Sequence, residues 1–186
     1  MDYVEYAQRY FRDLKGALDA LPAGDVREVV EILAKARDEG RCVFVFGNGG
    51  SAATASHFAN DLAKGAIRGK DKRFKAVCLA DNVPLMLAWG NDTDFSKIFA
   101  EQLKNLLSPG DVVIGISGSG NSKNVLAAIE YANENGATTI GFTGMGGGRL
   151  KDAAEHSIVV SSNHMGRVED VHLILAHVVA YYLKEK

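Results

Sequence analysis

The sequence predicts an α/β fold: a three-layer, doubly wound sheet of five parallel strands, preceded by a helical hairpin. Three features point to it. From residue 42 onward short β-rich runs alternate with helical stretches. Two strand-to-helix turns are rich in glycine and serine, and the first forty residues show helical periodicity only.

Residues 3–21 repeat apolar side chains at helical spacing (Val4, Ala7, Phe11, Leu14, Leu18, Leu21) and stop at Pro22. Residues 25–39 do the same and end at Gly40. This hairpin, within 1–40, carries Tyr3, Tyr6, Tyr10 and Phe11, more aromatic surface than one small sheet requires, so part of it is expected to pack against another subunit. The runs 42–46, 74–79, 112–116, 138–143 and 157–160 read as the strands. Helices are expected over 51–64, 95–107, 122–135, 150–156 and 168–183, with a short turn near 84–89. No linker or charge block interrupts the pattern, so 1–186 is expected to be one domain, with the glycine cluster at 144–148 as a flexible loop.

The 21 basic and 23 acidic side chains are scattered and leave a formal net charge of −2, which provides no footprint for DNA or RNA. Cys42 and Cys78 lie inside apolar runs, as suits buried, inert thiols in a reducing compartment. The N-terminal stretch is charged throughout and no apolar run approaches the roughly 20 residues of a membrane span. A cytoplasmic protein, neither exported nor inserted, is expected.

In parallel sheets, ligands sit beyond the carboxyl ends of the strands, where helix N-termini present unpaired N–H groups. After 112–116 comes Ser117-Gly118-Ser119-Gly120-Asn121-Ser122, leading into a helix. Its glycines allow close approach of an anion and its three hydroxyls supply donors, a pattern that favours phosphate over a simple serine cap. After 42–46 comes Gly47-Asn48-Gly49-Gly50-Ser51, a weaker signal by itself. Neither turn is a P-loop or a dinucleotide fingerprint, which disfavours nucleotides.

His57 and Asp61, four residues apart, share one helix face, a spacing that fits a metal or acid–base pair and equally a polar surface. On the last helix Glu169 and His177 lie eight residues apart, a rise of roughly 12 Å, too far to join one ligand shell from mid-helix positions. Either Glu169 lies at the helix start and bends toward the site, or the two serve different copies of it in an oligomer. By spacing alone, His177 fits a histidine satisfied among Leu173, Leu175, Ala176 and Val178.

The segments GNGGSAATASHFANDL (47–62), GND (90–92), ISGSGNSKNV (116–125) and RVEDVHLILAH (167–177), in this order, resemble the sugar isomerase (SIS) domain family, and within it the phosphoheptose isomerases. The resemblance spans nearly the whole chain and implies the SIS fold with flavodoxin-like strand order. It implies that Asn48, Gly49, Gly50, Ser51, Asn91 and Asp92 contact a sugar. Ser117, Gly118, Ser119 and Ser122 would hold its phosphate, and Glu169 would face the substrate as well. His57, Asp61, Glu169 and His177 match the metal-binding and catalytic positions, with zinc the expected ion. A homotetramer with sites between subunits is implied too.

The chain departs from the pattern at three places. Asp61 stands where the family usually has Glu, Glu169 where Gln is usual, and Gly118 replaces a threonine. The expected reaction is isomerisation of sedoheptulose 7-phosphate to a heptose 7-phosphate through an enediol, with Asp61 as base and His177 as acid or ring-opening catalyst. The alternatives are a phosphosugar isomerase for another ketose phosphate, and a non-catalytic SIS module that senses sugar phosphates or binds proteins, like the relative that associates with a bacterial replication initiator.

Overall fold

Alternate side chains of each strand point to opposite faces of a sheet, and here both faces are dry. Val43, Val45, Ile114, Ile116, Ile140, Phe142 and Ile158 belong to one buried cluster, whereas Phe44, Phe46 and Val113 belong to another on the far side. Burial of such side chains stabilises by about 1.5–3 kcal/mol each. That two-sided burial explains why the strands read as continuous apolar runs.

The computed structural model describes residues 2–69 and 72–186. Its strands are β1 (Cys42–Gly47), β2 (Lys75–Cys78), β3 (Val112–Ser117), β4 (Thr138–Thr143) and β5 (His156–Val159). All pair in parallel, in the order β2-β1-β3-β4-β5. The expected five-stranded, flavodoxin-like sheet is therefore present. The chain direction along the sheet reverses between β1 and β3, and a crevice opens there at the carboxyl ends.

Helices α1 (Tyr3–Asp19), α2 (Ala23–Glu39), α3 (Gly50–Asn60) and α8 (Met165–Glu185) contribute to the first cluster; α5 (Ala100–Leu106), α6 (Lys123–Glu134) and α7 (Leu150–Ala153) contribute to the second. The hairpin forms as expected, and α2 ends at Gly40 in the left-handed conformation that glycine adopts without penalty. Helix α1 is tied to the start of α8, where Tyr10 donates to Asp170 at 2.6 Å and Arg167 pairs with Asp13 at 3.0 Å. Its Tyr3, Tyr6 and Phe11 stay exposed, as do Val178, Tyr181 and Tyr182 on α8.

Several boundaries differ from the sequence reading. The turn expected near 84–89 is a full helix, α4 (Val83–Asp92), started by Pro84 in its first turn and capped by the Asn82 side chain, which accepts from Leu85 N–H. The helix expected over 95–107 is split, because the Asp94 carboxylate accepts from Ser96 N–H and opens a separate 3₁₀ turn, Phe95–Lys97, ahead of α5. Helix α7 stops at Ala153 since His156 joins the sheet opposite Ile140. Helix α8 begins at Met165, three residues early, where the His164 ring accepts from Arg167 N–H. Helix α3 does not run on as an α-helix to 64 but opens into a π turn, Asp61–Gly65, closed by Ala66 N–H to Asp61 C=O at 2.7 Å.

Candidate active site

The two Gly/Ser turns meet over the crevice. A pocket of about 250 Å³ is lined by Asn48, Gly49, Gly50 and Ser51 from the β1–α3 turn, by Ser117, Gly118, Ser119 and Ser122 from the β3–α6 turn, and by Met165 and Glu169 of α8. It lies at the N-terminus of α6, a twelve-residue helix whose dipole favours an anion. The hydroxyls of Ser117 and Ser122 lie 3.0 Å apart. No lysine or arginine lines the pocket, so any attraction for an anion would rest on hydroxyls, amides and the helix end.

At Gly118 an added Cβ would meet the Met165 sulfur, so the flexible methionine side chain occupies the space beside the turn and would have to shift to admit a side chain at 118. Gly50 likewise leaves room for Glu169, whose carboxylate lies 2.7–2.8 Å from where a Cβ on Gly50 would stand. Asn48 is held by a residue that sequence reasoning passed over. Its amide and that of the buried Asn124 exchange two hydrogen bonds, at 2.9 and 2.8 Å, joining the β1–α3 turn to α6. Two asparagines 76 positions apart give no local signal of such a pair.

Asn91 and Asp92 form the exposed end of α4, where the Asn91 amide donates to Asp92 at 2.8 Å. Asn91 lines a second cavity of about 370 Å³ that shares Asn48 and Gly49 with the first pocket and is otherwise largely apolar, with Met86, Leu87, Phe95 and Phe99 among its walls.

His57, Asp61 and His177 come together on α3, the π turn and α8. The His177 and His57 Nε2 atoms are 2.8 Å apart. Asp61 Oδ2 lies 3.3 Å from His57 Nε2 and 3.8 Å from His177 Nε2, yet it is buried without a hydrogen-bond partner. His177 is therefore drawn into a polar cluster and is not satisfied within the apolar stripe of its helix. The three donor atoms all lie within 4.8 Å of one another. Ligands around a tetrahedral zinc, each about 2.0–2.1 Å from it, sit roughly 3.3 Å apart, so this spacing and the orphaned carboxylate oxygen fit a divalent cation.

Glu169 is not brought to this group. It lies within α8, in its second turn, and lines the pocket between the two Gly/Ser turns, roughly 12 Å of helix rise from His177. A carboxylate at the helix start bending toward the histidines is thus not what the fold provides.

A family model described as SIS domain matches residues 3–144. The phosphoheptose isomerase of Aquifex aeolicus (strain VF5) is 38% identical over 185 residues, covering 98% of this chain and 96% of its own. That of Geobacter sulfurreducens is 36% identical over 186 residues, covering 100% and 98%. Among solved structures, a phosphoheptose isomerase from Francisella tularensis superimposes with a TM-score of 0.92 at 27% identity, covering the whole of both chains. Sheet order, hairpin, paired turns and these likenesses agree: the chain belongs to the SIS domain family and, within it, to the phosphoheptose isomerases.

Proposed function

We propose that the protein isomerises sedoheptulose 7-phosphate to D-glycero-D-manno-heptose 7-phosphate. The single observation that carries the reading is the coexistence, on one fold of this family, of a cation-free hydroxyl pocket at a helix N-terminus and a carboxylate–histidine cluster two to three turns along the flanking helices. The first suits a phosphate; the second suits proton transfer. Ser117, Ser119 and Ser122 bind the phosphate, and Asn48, Gly49, Gly50, Ser51, Asn91, Asp92 and Glu169 orient the sugar. Asp61 removes the C1 proton while His177 donates a proton to the C2 carbonyl oxygen, which gives the 1,2-enediol. Return of the proton to C2 with loss of the O1 proton leaves the C1 aldehyde.

His57, Asp61 and His177 would hold a divalent metal, zinc by the chemistry of the donors, and when bound it supplies Lewis-acid polarisation at the carbonyl oxygen. Glu169 completes that ligand set only from another copy of the chain, given its distance from His177 along α8. The exposed aromatic residues of α1 and the apolar face of α8 support a homotetramer with sites between subunits, the hairpin of 1–40 taking part in its assembly. The whole of 1–186 acts as one SIS domain. Among the described residues no helix is long and apolar enough to cross a membrane, and the compartment proposed is the cytoplasm.

The test is turnover of sedoheptulose 7-phosphate by the purified protein, before and after chelation and with zinc or manganese restored. Activity lost on chelation and regained with metal is the expected result. Metal-independent turnover would discard the ligand set and keep the acid–base pair, whereas absence of turnover with any phosphorylated ketose would overturn the isomerase reading. Replacing Ser119 and Ser122 together by Ala should weaken sugar-phosphate binding by about 100-fold or more, two hydrogen bonds to a charged group being lost. Unchanged affinity would remove the phosphate role.

A further inference from the structure

The β3–α6 turn meets an anion without a cation, so the orientation of its peptide groups decides whether it attracts or repels. Every carbonyl from Ser117 to Gly120 is already occupied. Ser117 C=O accepts from Gly120 N–H at 2.9 Å, Gly118 C=O from Gly144 N–H at 3.1 Å, and Gly120 C=O from Leu150 N–H at 2.9 Å. Ser119 C=O accepts from the Asn121 side-chain amide at 2.9 Å. The N–H groups of Gly118, Ser119 and Ser122, by contrast, have no hydrogen-bond acceptor among the described residues.

Two of those four carbonyls are held from beyond β4, Gly120 C=O by Leu150 at the start of α7 and Gly118 C=O by Gly144, the first residue of the run that reads in the sequence as a flexible glycine loop. It is instead pressed onto the phosphate turn: a Cβ on Gly120 would strike Gly147 C=O, and a Cβ on Gly148 would strike Ser119 C=O. Both glycines have positive φ, at 65° and 57°. Asn121 fastens the two segments, since its Oδ1 accepts from Arg149 N–H at 3.2 Å while its amide holds Ser119 C=O. Asn121 is exposed and is not among the residues lining the pocket.

We infer that Asn121 is a positioning residue for phosphate recognition, clamping the turn onto the segment 144–150 so that its carbonyls face away from the pocket and its free N–H groups face the ligand. The inference rests on the phosphate reading of that pocket. It gives the chain a means of binding a dianion in a pocket that contains Glu169 and no positive side chain. Peptide dipoles fixed beforehand cost no reorganisation when the anion arrives.

The experiment compares Asn121→Ala with wild type and with the Ser119/Ser122 double alanine variant, using inorganic phosphate as the binding probe and sedoheptulose 7-phosphate as substrate. Asn121→Ala should raise the Kd for phosphate and the KM together by about tenfold, with kcat within about twofold, since one amide-to-carbonyl restraint is lost. Its melting temperature should stay near that of wild type because the side chain is exposed, which separates positioning from a loss of folded protein. Should Asn121→Ala leave both constants unchanged while the double serine variant weakens them, the positioning role is overturned and the phosphate pocket stands. If neither variant changes phosphate binding, the phosphate reading and the positioning role fall together.

Discussion

Asp61→Asn is expected to lower kcat by about 10³-fold or more and to leave phosphate affinity unchanged. An amide has nearly the volume of the carboxylate, so packing around the π turn survives, but it accepts no proton at neutral pH and ligates a cation poorly. The magnitude follows from the place of Asp61 in the cluster. Its Oδ2 is the buried atom that both histidines approach without satisfying, so one substitution removes the proposed base and the anionic member of the proposed cation site. The pocket proposed for phosphate lies at the N-terminal ends of α3 and α8, and inorganic phosphate should bind the variant with the wild-type Kd. Turnover within tenfold of wild type would remove Asp61 from the base role. Asp61→Glu, which keeps the carboxylate and lengthens the side chain by one methylene, separates reach from chemistry, because proton transfer is sensitive to misplacement of about 1 Å.

The second large effect concerns stability. His172 is fully buried on α8 beside Phe142, and its Nε2 lies 3.2 Å from Thr143 C=O. Since a carbonyl only accepts, Nε2 carries the proton, and Nδ1 is left buried without a partner. Burial lowers the pKa of this ring to about 4 from the ordinary 6.5, only partly offset by the hydrogen bond to Thr143. The sign follows from proton counts. Between pH 6.5 and 4 the unfolded chain binds a proton at His172 that the folded chain does not, so stability falls as pH falls through that window and levels off below it. A shift of this size corresponds to about 3 kcal/mol of stability lost between pH 7 and pH 4. His172→Gln, which can keep a donor toward Thr143, should flatten that part of the profile in denaturant titrations at the two pH values. An unchanged difference between the two pH values would mean that His172 is not the source.

What the sequence revealed and what it hid divide along physical lines. Strands buried on both faces announce themselves as apolar runs, and turns that need glycine and donors announce themselves by composition, so the sheet, its neighbours and the pocket formed by residues 48–51 and 117–122 were legible. The hidden features depend on contacts between distant positions or on a competition that local pattern does not show. Nothing in Asp61-Leu62-Ala63-Lys64-Gly65 marks a π turn in place of an α turn. The glycine run 144–148 looks mobile by composition, whereas Gly144 N–H donates to Gly118 C=O of the neighbouring turn and Gly147 N–H folds back on Gly144 C=O. The Asn48–Asn124 pair and the Asn121 contact with Arg149 N–H each depend on partners that the local sequence around the asparagine does not show. Helical rise did identify the separation of Glu169 from His177, because eight residues of α-helix have one length wherever they occur.

The pocket straddles the place where the chain changes direction across the sheet, so its two halves belong to different layers: α3 packs in one apolar cluster and α6 in the other. A molecule held between Ser51 and Ser122 is thus a cross-link between those layers, absent when the chain unfolds. By mass action it adds stability that grows with the logarithm of its concentration relative to its Kd, about 2.7 kcal/mol at a hundredfold excess. A ligand bound there in excess of its Kd would lower the fraction of copies that are unfolded, and so open to proteolysis, at any moment.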